Sequence, residues 1–184
     1  MQISVVPATE ADRPVLENLY QFYVYDFTGF KEWDVEEDGR FEDFGLDGCW
    51  TTDYRHPFLI QANGKLAGFA IVDGRSHLTG ERGIWDVGDF FVLRRYQKRG
   101  VGEHAARMLF DRFRGRWEVS QMAANLGALA FWRKVINRYT DGQFEEVQWN
   151  DARWRSPVQV FDNGPRPSIP ASENARSSSQ EPNR

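Results

Sequence analysis

Asp89-Phe90-Phe91-Val92-Leu93-Arg94-Arg95-Tyr96-Gln97-Lys98-Arg99-Gly100-Val101-Gly102-Glu103 runs from an apolar strand through a basic loop into a glycine-flanked helix start. The first amides of a helix lack intrahelical partners and point outward, and the helix dipole adds positive potential there. Glycines at such a place let an anion reach the backbone without a side chain in the way, so this turn is suited to a phosphate. Lys98 and Arg99 strengthen the field. Downstream, Ala105, Ala106, Met108, Leu109 and Phe113 give the segment from Gly102 an apolar face at helical spacing, and Trp117 to Met122 is strand-like. Asn125 then opens a second helix with Leu126, Leu129, Ala130 and Val135 spaced for burial, before strands at Glu145 to Trp149 and Val158 to Phe161.

Upstream of the turn, Trp85 to Leu93 is a strand, and Phe58-Leu59-Ile60 and Leu66 to Val72 form a hairpin across Asn63-Gly64, a pair that accepts positive φ. Ile3 to Val6 is the first strand. Thr9 and Pro14 mark a helix start, with Val15, Leu16, Leu19, Phe22 and Tyr23 at helical spacing. The order strand, helix, strands, helix, strand, helix, strands defines a mixed α/β (α+β) layer fold. From Asp162 onward the chain is Pro, Ser, Asn, Gly and charge, so one domain over residues 1–162 and a disordered tail over 163–184 are expected.

The totals narrow the classes. The 184 residues suffice for one domain with its own core. With 27 % charged and 15 % aromatic residues the body has the composition of a globular protein. A formal net charge of −4 gives no general basic field for nucleic acid. Cys49 is the only cysteine, which excludes an internal disulfide, and the three histidines show no zinc-ligand spacing with it. The first residues lack a basic region followed by an apolar run, and no window has the roughly 18 apolar residues of a membrane span. A cytoplasmic protein with no metal, nucleic-acid or membrane partner is expected.

Gln97-x-x-Gly100-x-Gly102 just after a strand resembles the acetyl-CoA motif of the GNAT superfamily of N-acetyltransferases, and Asn125-x-x-Ala128-x-x-Phe131-Trp132-Arg133-Lys134 looks like the second half of that family's cofactor site. Asp89-Phe90-Phe91-Val92 is similar to the matching strand of polyamine-type members. The resemblance implies a mostly antiparallel central sheet flanked by helices, with acetyl-CoA as co-substrate. It places cofactor contacts at Phe91, Val92, Leu93, Gln97, Lys98, Arg99, Gly100, Val101, Gly102, Glu103, Asn125, Phe131, Trp132 and Lys134. Gly100-Val101-Gly102-Glu103-His104-Ala105 also fits a dinucleotide fingerprint. Against that reading, six residues separate Leu93 from the first glycine, and Glu118 lies too early in the following strand.

The family's chemistry is direct attack of an amine on the thioester, with a strand amide, here that of Val92, stabilising the oxyanion. Neutralising an alkylamine of pKa about 10.4 at pH 7 costs roughly 4.6 kcal/mol, so a base matters more than an acid. Alignment with the histone-modifying branch puts the base at Asp86, and the polyamine-type Glu-Asp pair falls on Gly88-Asp89, which leaves Asp89 as an acceptor contact. Three residues apart, Asp86 and Asp89 face opposite sides of an extended strand and are not expected to share a pocket. The family's general-acid tyrosine is replaced by Trp132, with Tyr96 and Tyr139 as conceivable substitutes, and Cys49 reads as a buried small residue.

The chain also separates its charge. Asp26 to Asp47 holds nine acidic residues against Lys31 and Arg40, whereas Arg94 to Arg116 holds eight Lys/Arg against Glu103 and Asp111. A phosphate-rich cofactor suits the basic lobe and a cationic amine the acidic one, with Tyr25, Asp26, Trp50 and Asp89 as lining. A small primary-amine acceptor is the leading reading. A protein lysine or amino-terminal acetyltransferase and a non-catalytic acetyl-CoA-binding module are the alternatives, and the resemblance allows a homodimer.

Overall fold

In the computed structural model, which describes residues 1–42, 45–150 and 155–165, seven strands form one sheet in the order β1-β2-β3-β4-β5-β7-β6. The strands are β1 (Ile3–Pro7), β2 (Arg55–Ala62), β3 (Lys65–Arg75), β4 (Arg82–Val92), β5 (Arg116–Ser120), β6 (Glu145–Asn150) and β7 (Arg155–Asp162). Helices α1 (Arg13–Phe27) and α2 (Gly48–Thr51) precede β2, α3 (Val101–Arg112) joins β4 to β5, and α4 (Leu126–Tyr139) follows β5. Every neighbouring pair is antiparallel except β4 with β5. That parallel pair follows from the α3 crossover, since parallel neighbours need a long connection. The expected mixed, mostly antiparallel sheet is therefore present. Residues 166–184, most of the expected tail, lie outside the described residues, whereas Asn163 is tied back by its side-chain amide to the carbonyls of Phe110 and Phe113 at 2.6 and 3.3 Å.

The β2–β3 hairpin turns at Asn63 (φ 51°) and Gly64 (φ 72°), the positive angles anticipated from that pair. Each face of the sheet carries its own core. One packs α3 and α4 through Val101, Ala105, Leu109, Phe110, Trp132, Val135 and Ile136 against Trp117 and Phe161. The other packs α1 and α2 through Leu16, Leu19, Tyr20, Val24 and Cys49 against Leu59, Phe69, Ile71 and Phe91. The helix faces differ in detail from the sequence reading. In α1 the buried row is Leu16, Leu19, Tyr20 and Val24, while Val15 and Phe22 are exposed. Met108 in α3 and Leu126 in α4 are exposed as well, because apolar residues on the flank of a helical stripe obey the same spacing as those at its centre.

Two departures from regular pairing decide where a site can form. β4 and β5 are paired only at Trp85↔Trp117 and Asp86↔Glu118, after which the strands part and the later half of β4 keeps one edge free. On its other edge β4 carries a bulge, since Ile71 faces Asp89 while Val72 faces Val87, leaving Gly88 as the extra residue.

Candidate active site

The free edge of β4 exposes backbone groups that strand geometry lets one assign. Leu93 donates its N–H back to Ala67 O at 2.8 Å, so it points toward β3. Alternation along a strand turns the N–H and C=O of Val92 the opposite way, into the fork between β4 and β5. The Gln97 side chain donates Nε2–H to Val92 O at 2.8 Å and leaves the Val92 N–H as the polar group facing the fork at the end of the strand. Phe91, next to it, is turned into the α1-side core.

The turn beyond the strand has the geometry of an anion cradle. Lys98 takes φ 57°, and Gly100 takes φ 84° as the residue immediately before α3. The first α3 amide with a backbone acceptor is that of His104, bonded to Gly100 O at 3.0 Å; among the described residues, the amides of 99–103 have none. Val101 is fully buried and anchors the helix start, while Lys98 and Arg99 are exposed. A Cβ at Gly102 would lie 3.2 Å from the Phe131 ring, so this glycine lets α4 close over the first turn of α3. Glu103 turns away to Arg138 at 3.1 Å, Asn125 Oδ1 caps α4 by accepting from Ala128 N at 3.0 Å, and Lys134 lies exposed on the same helix. Trp132 is buried and packs edge-on against Phe90 and Phe131.

On the α1 side of the sheet the bulge changes the expected geometry of the carboxylates. Asp73 of β3 is the cross-strand partner of Asp86, so the two side chains share a face. Arg55 donates from Nε to Asp73 Oδ1 at 3.1 Å and from Nη2 to Asp89 Oδ2 at 3.3 Å, so Asp89 lies on that face too. The expectation that Asp86 and Asp89 point to opposite sides is thus corrected: Gly88 inserts one residue and brings both to one site. The bulge also explains why residue 88 is glycine. A Cβ there would come within 2.6 Å of Asp73 Oδ2, so the carboxylate supplied by β3 fills the space a side chain at 88 would occupy.

These groups titrate unusually. Burial pushes Asp86 up to about 8; the His77 N–H, at 3.4 Å, opposes this, and Asp73, Glu118 and Asp89 add to the rise. Glu118 lies across the last β4–β5 pair, is buried, and accepts from Ser76 Oγ at 2.6 Å. Burial also raises Asp89 and Asp73, against the opposing pull of Arg55 on both and of the Tyr23 hydroxyl on Asp89. Cys49 lies beside this group, and burial lifts its thiol to about 11, so it remains protonated at neutral pH.

Of the residues expected to line the acceptor side, Asp89 is in this cluster and Trp50 packs against the α1-side core, its indole N–H buried without an acceptor among the described residues. Tyr25 is 59 % exposed, and Asp26 pairs with Arg94 at 2.7 Å, away from Asp89, because the positions following Tyr23 and Val24 turn outward on α1. Sequence did not point to Arg55, Asp73, Tyr23 or Glu118 as site residues; Tyr23 read as part of a helix face and Glu118 as a misplaced acidic residue of the dinucleotide pattern. Only Asp73, an acidic residue ending a buried apolar run, carries a local hint. Tyr139 lies away from the turn: its hydroxyl donates to Asp111 at 2.9 Å, nine residues along α3 from Gly102, or about 13 Å.

With this geometry established, the comparisons agree on its class. The sequence profile described as the acetyltransferase (GNAT) family matches residues 16–136, and the chain belongs to that family. No curated protein sequence matches it significantly. The ribosomal-protein-S18-alanine N-acetyltransferase of Escherichia coli is similar in fold, with a TM-score of 0.58 at 15 % identity over 96 % of this chain and 100 % of that one. The protein yncA from Salmonella typhimurium, solved with its cofactor acetyl-CoA, gives 0.59 at 14 % over 93 % and 99 %. The aminoglycoside acetyltransferase AAC(6')-Ib in complex with coenzyme A gives 0.63 at 14 % over 88 % and 95 %. Among the described residues no helix is long and apolar enough to cross a membrane, and no group of three His, Cys, Asp or Glu is placed to hold a metal ion.

Proposed function

We propose that the chain transfers an acetyl group from acetyl-CoA directly to the primary amine of a small acceptor that arrives as a cation. The observation that carries this reading is the fork between β4 and β5. The Val92 N–H faces into it, the bare amides of the α3 start lie beyond it, and Asp86 sits at its closed end. The amides of residues 99–103, with Lys98 and Arg99, hold the pyrophosphate, and the free β4 edge pairs with the pantetheine arm. Phe131 and Trp132 wall the cofactor side.

Asp86 removes a proton from the acceptor ammonium, directly or through one water, and its raised pKa suits it to a base working near neutral pH. Val92 N–H stabilises the charge that develops on the carbonyl oxygen. Arg55 holds Asp73 and Asp89 as a fixed negative wall that attracts and orients the cation. Indole cannot donate a proton to the leaving sulfur, so the thiolate, with a pKa of about 8.5 by analogy with cysteine, departs without a tyrosine acid.

Calorimetric titration with acetyl-CoA, paired with a thiol-release assay over a panel of small amines, tests the reading. Saturable binding is expected, and a Gly100→Val, Gly102→Leu double variant that still folds is expected to lose it. Thiol release only with protein acceptors would replace the small amine by a polypeptide, and binding without any release would leave a sensor.

A further inference from the structure

A cavity of about 500 Å³ opens on the same face of the sheet as the carboxylate cluster and extends from it to the β3–β4 turn. At its inner end stand Asp73 and Arg55, with Asp86 behind them; at its outer end stand Tyr54, Arg75, Thr79 and Gly80. The two ends carry opposite demands. The inner end holds more carboxylates than cations, since among the described residues Arg55 is the one cation in ion-pair contact with Asp73 and Asp89. At the outer end two guanidinium groups pack on the Tyr54 ring, Arg75 at 5.9 Å and Arg82 at 5.8 Å from its centroid. Arg82 is matched by Asp53, with contacts of 3.1 and 3.3 Å. Arg75 has no carboxylate within ion-pair reach among the described residues.

Nor is Arg75 a freely moving surface side chain. Its Nε donates to Gly80 O at 2.8 Å, and its Nη2 sits so close to the Gly80 backbone that a Cβ there would be 3.1 Å away. The guanidinium is thereby fixed by the turn and the Tyr54 ring, with its Nη edge unclaimed among the described residues. A planar donor fork held in this way is suited to an oxyanion, which it can bind through two parallel hydrogen bonds.

We infer that the acceptor carries a carboxylate or phosphate at the opposite end from its amine, and that Arg75 binds this group while Asp73, with Asp86 behind it, faces the amine. The inference rests on the acetyltransferase reading of the same site. Asp73 and Arg75 are two residues apart in β3, about 6–7 Å along the strand, and the Arg75 head folds further outward toward Gly80. The amine and the anion are therefore separated by a short chain and do not share one carbon, so an α-amino acid does not span the two ends through its own amine and carboxylate.

The test compares matched amines with and without the anionic group in the thiol-release assay: 6-aminohexanoate against hexylamine for a carboxylate, and 3-aminopropyl phosphate against butylamine for a phosphate. The anionic member of at least one pair is expected to have a kcat/KM about 10- to 100-fold higher, the range a charge-assisted hydrogen-bond pair supplies. Arg75→Gln is expected to collapse that ratio to within about threefold, and Arg75→Lys to keep part of it. A wild-type ratio near one in both pairs, or a preference that Arg75→Gln leaves intact, overturns the inference and leaves the transferase reading standing. If acetyl-CoA binds but no amine releases thiol, the transferase reading fails. Calorimetric binding of 6-aminohexanoate and 3-aminopropyl phosphate to the protein saturated with coenzyme A, wild type against Arg75→Gln, then decides the anion site separately: Arg75-dependent binding supports it, and its absence overturns it.

Discussion

Replacing Asp86 by Asn is expected to make the protein more stable and much less active, and the same pKa accounts for both effects. Asp86 is 1 % exposed and titrates at about 8 against a usual value of 3.8. Above pH 4 the unfolded chain releases this proton while the folded chain keeps it, so the native state binds more protons and stability falls with rising pH until about 8. At 1.36 kcal/mol per unit, roughly three units between 3.8 and pH 7 amount to a cost on the order of 4 kcal/mol. Asn removes the charge but leaves a buried amide to satisfy, so a net gain of about 1–3 kcal/mol at pH 7.5 is expected in urea unfolding, shrinking toward zero at pH 5. In the wild type kcat/KM is expected to rise through pH 8 as Asp86 ionises and to fall again near the acceptor's own pKa, about 10.4 for an alkylamine. Asp86→Asn should erase the rising limb and lower the plateau by about 10²- to 10⁴-fold. An unchanged rising limb in a folded Asp86→Asn protein would refute the assignment of the base, and a loss of stability that grows with pH would refute the account of its burial.

Arg55→Ala strands two mostly buried carboxylates and is expected to cost about 3–5 kcal/mol at pH 7, measured by denaturant unfolding. Because Asp73 and Asp89 are both raised by burial and take up protons as pH falls, the loss should be smaller at pH 5. Cys49→Ala is expected to leave kcat within about twofold, and the native thiol, titrating at about 11, to resist alkylation at pH 8, as a mass-spectrometric time course would show. Tyr139→Phe should lower stability by about 1 kcal/mol through loss of its bonds with Asp111 and Asn163, with kcat unchanged; a large fall in kcat would restore this tyrosine as the acid.

What the sequence revealed and what it hid follow from the range of the interactions involved. The turn between β4 and α3 is local: Gln97, Gly100 and Gly102 lie within six residues, and the positive φ of Gly100 and the close approach at Gly102 follow from residue type. The Asn63-Gly64 hairpin is legible for the same reason. The carboxylate cluster is assembled by strand pairing, with Arg55 from β2, Asp73 from β3 and Asp86 and Asp89 from β4, and register across three strands is not written in any one of them. Gly88 makes the point most directly. Aligned by position it stands for a missing glutamate, but in the sheet it is the residue that yields its space to Asp73 and turns two carboxylates onto one face. The acidic segment from Asp26 illustrates the opposite error, since charge along the chain does not say which way each side chain points, and Asp26 is taken by Arg94.

Two residue pairs, Trp85↔Trp117 and Asp86↔Glu118, are the strand-to-strand joint between β1-β2-β3-β4 and β5-β7-β6. Mechanically the sheet is two plates joined at a narrow seam, with the fork as the gap between them. Any opening or closing of that gap would be smallest at the seam and would grow with distance from it. Asp86, the proposed base, is built into that seam, while Val92 and the turn beyond it lie six or more residues out along the free edge of β4. Such a joint would let the outer part of the fork adjust to a long ligand while Asp86 stays almost still.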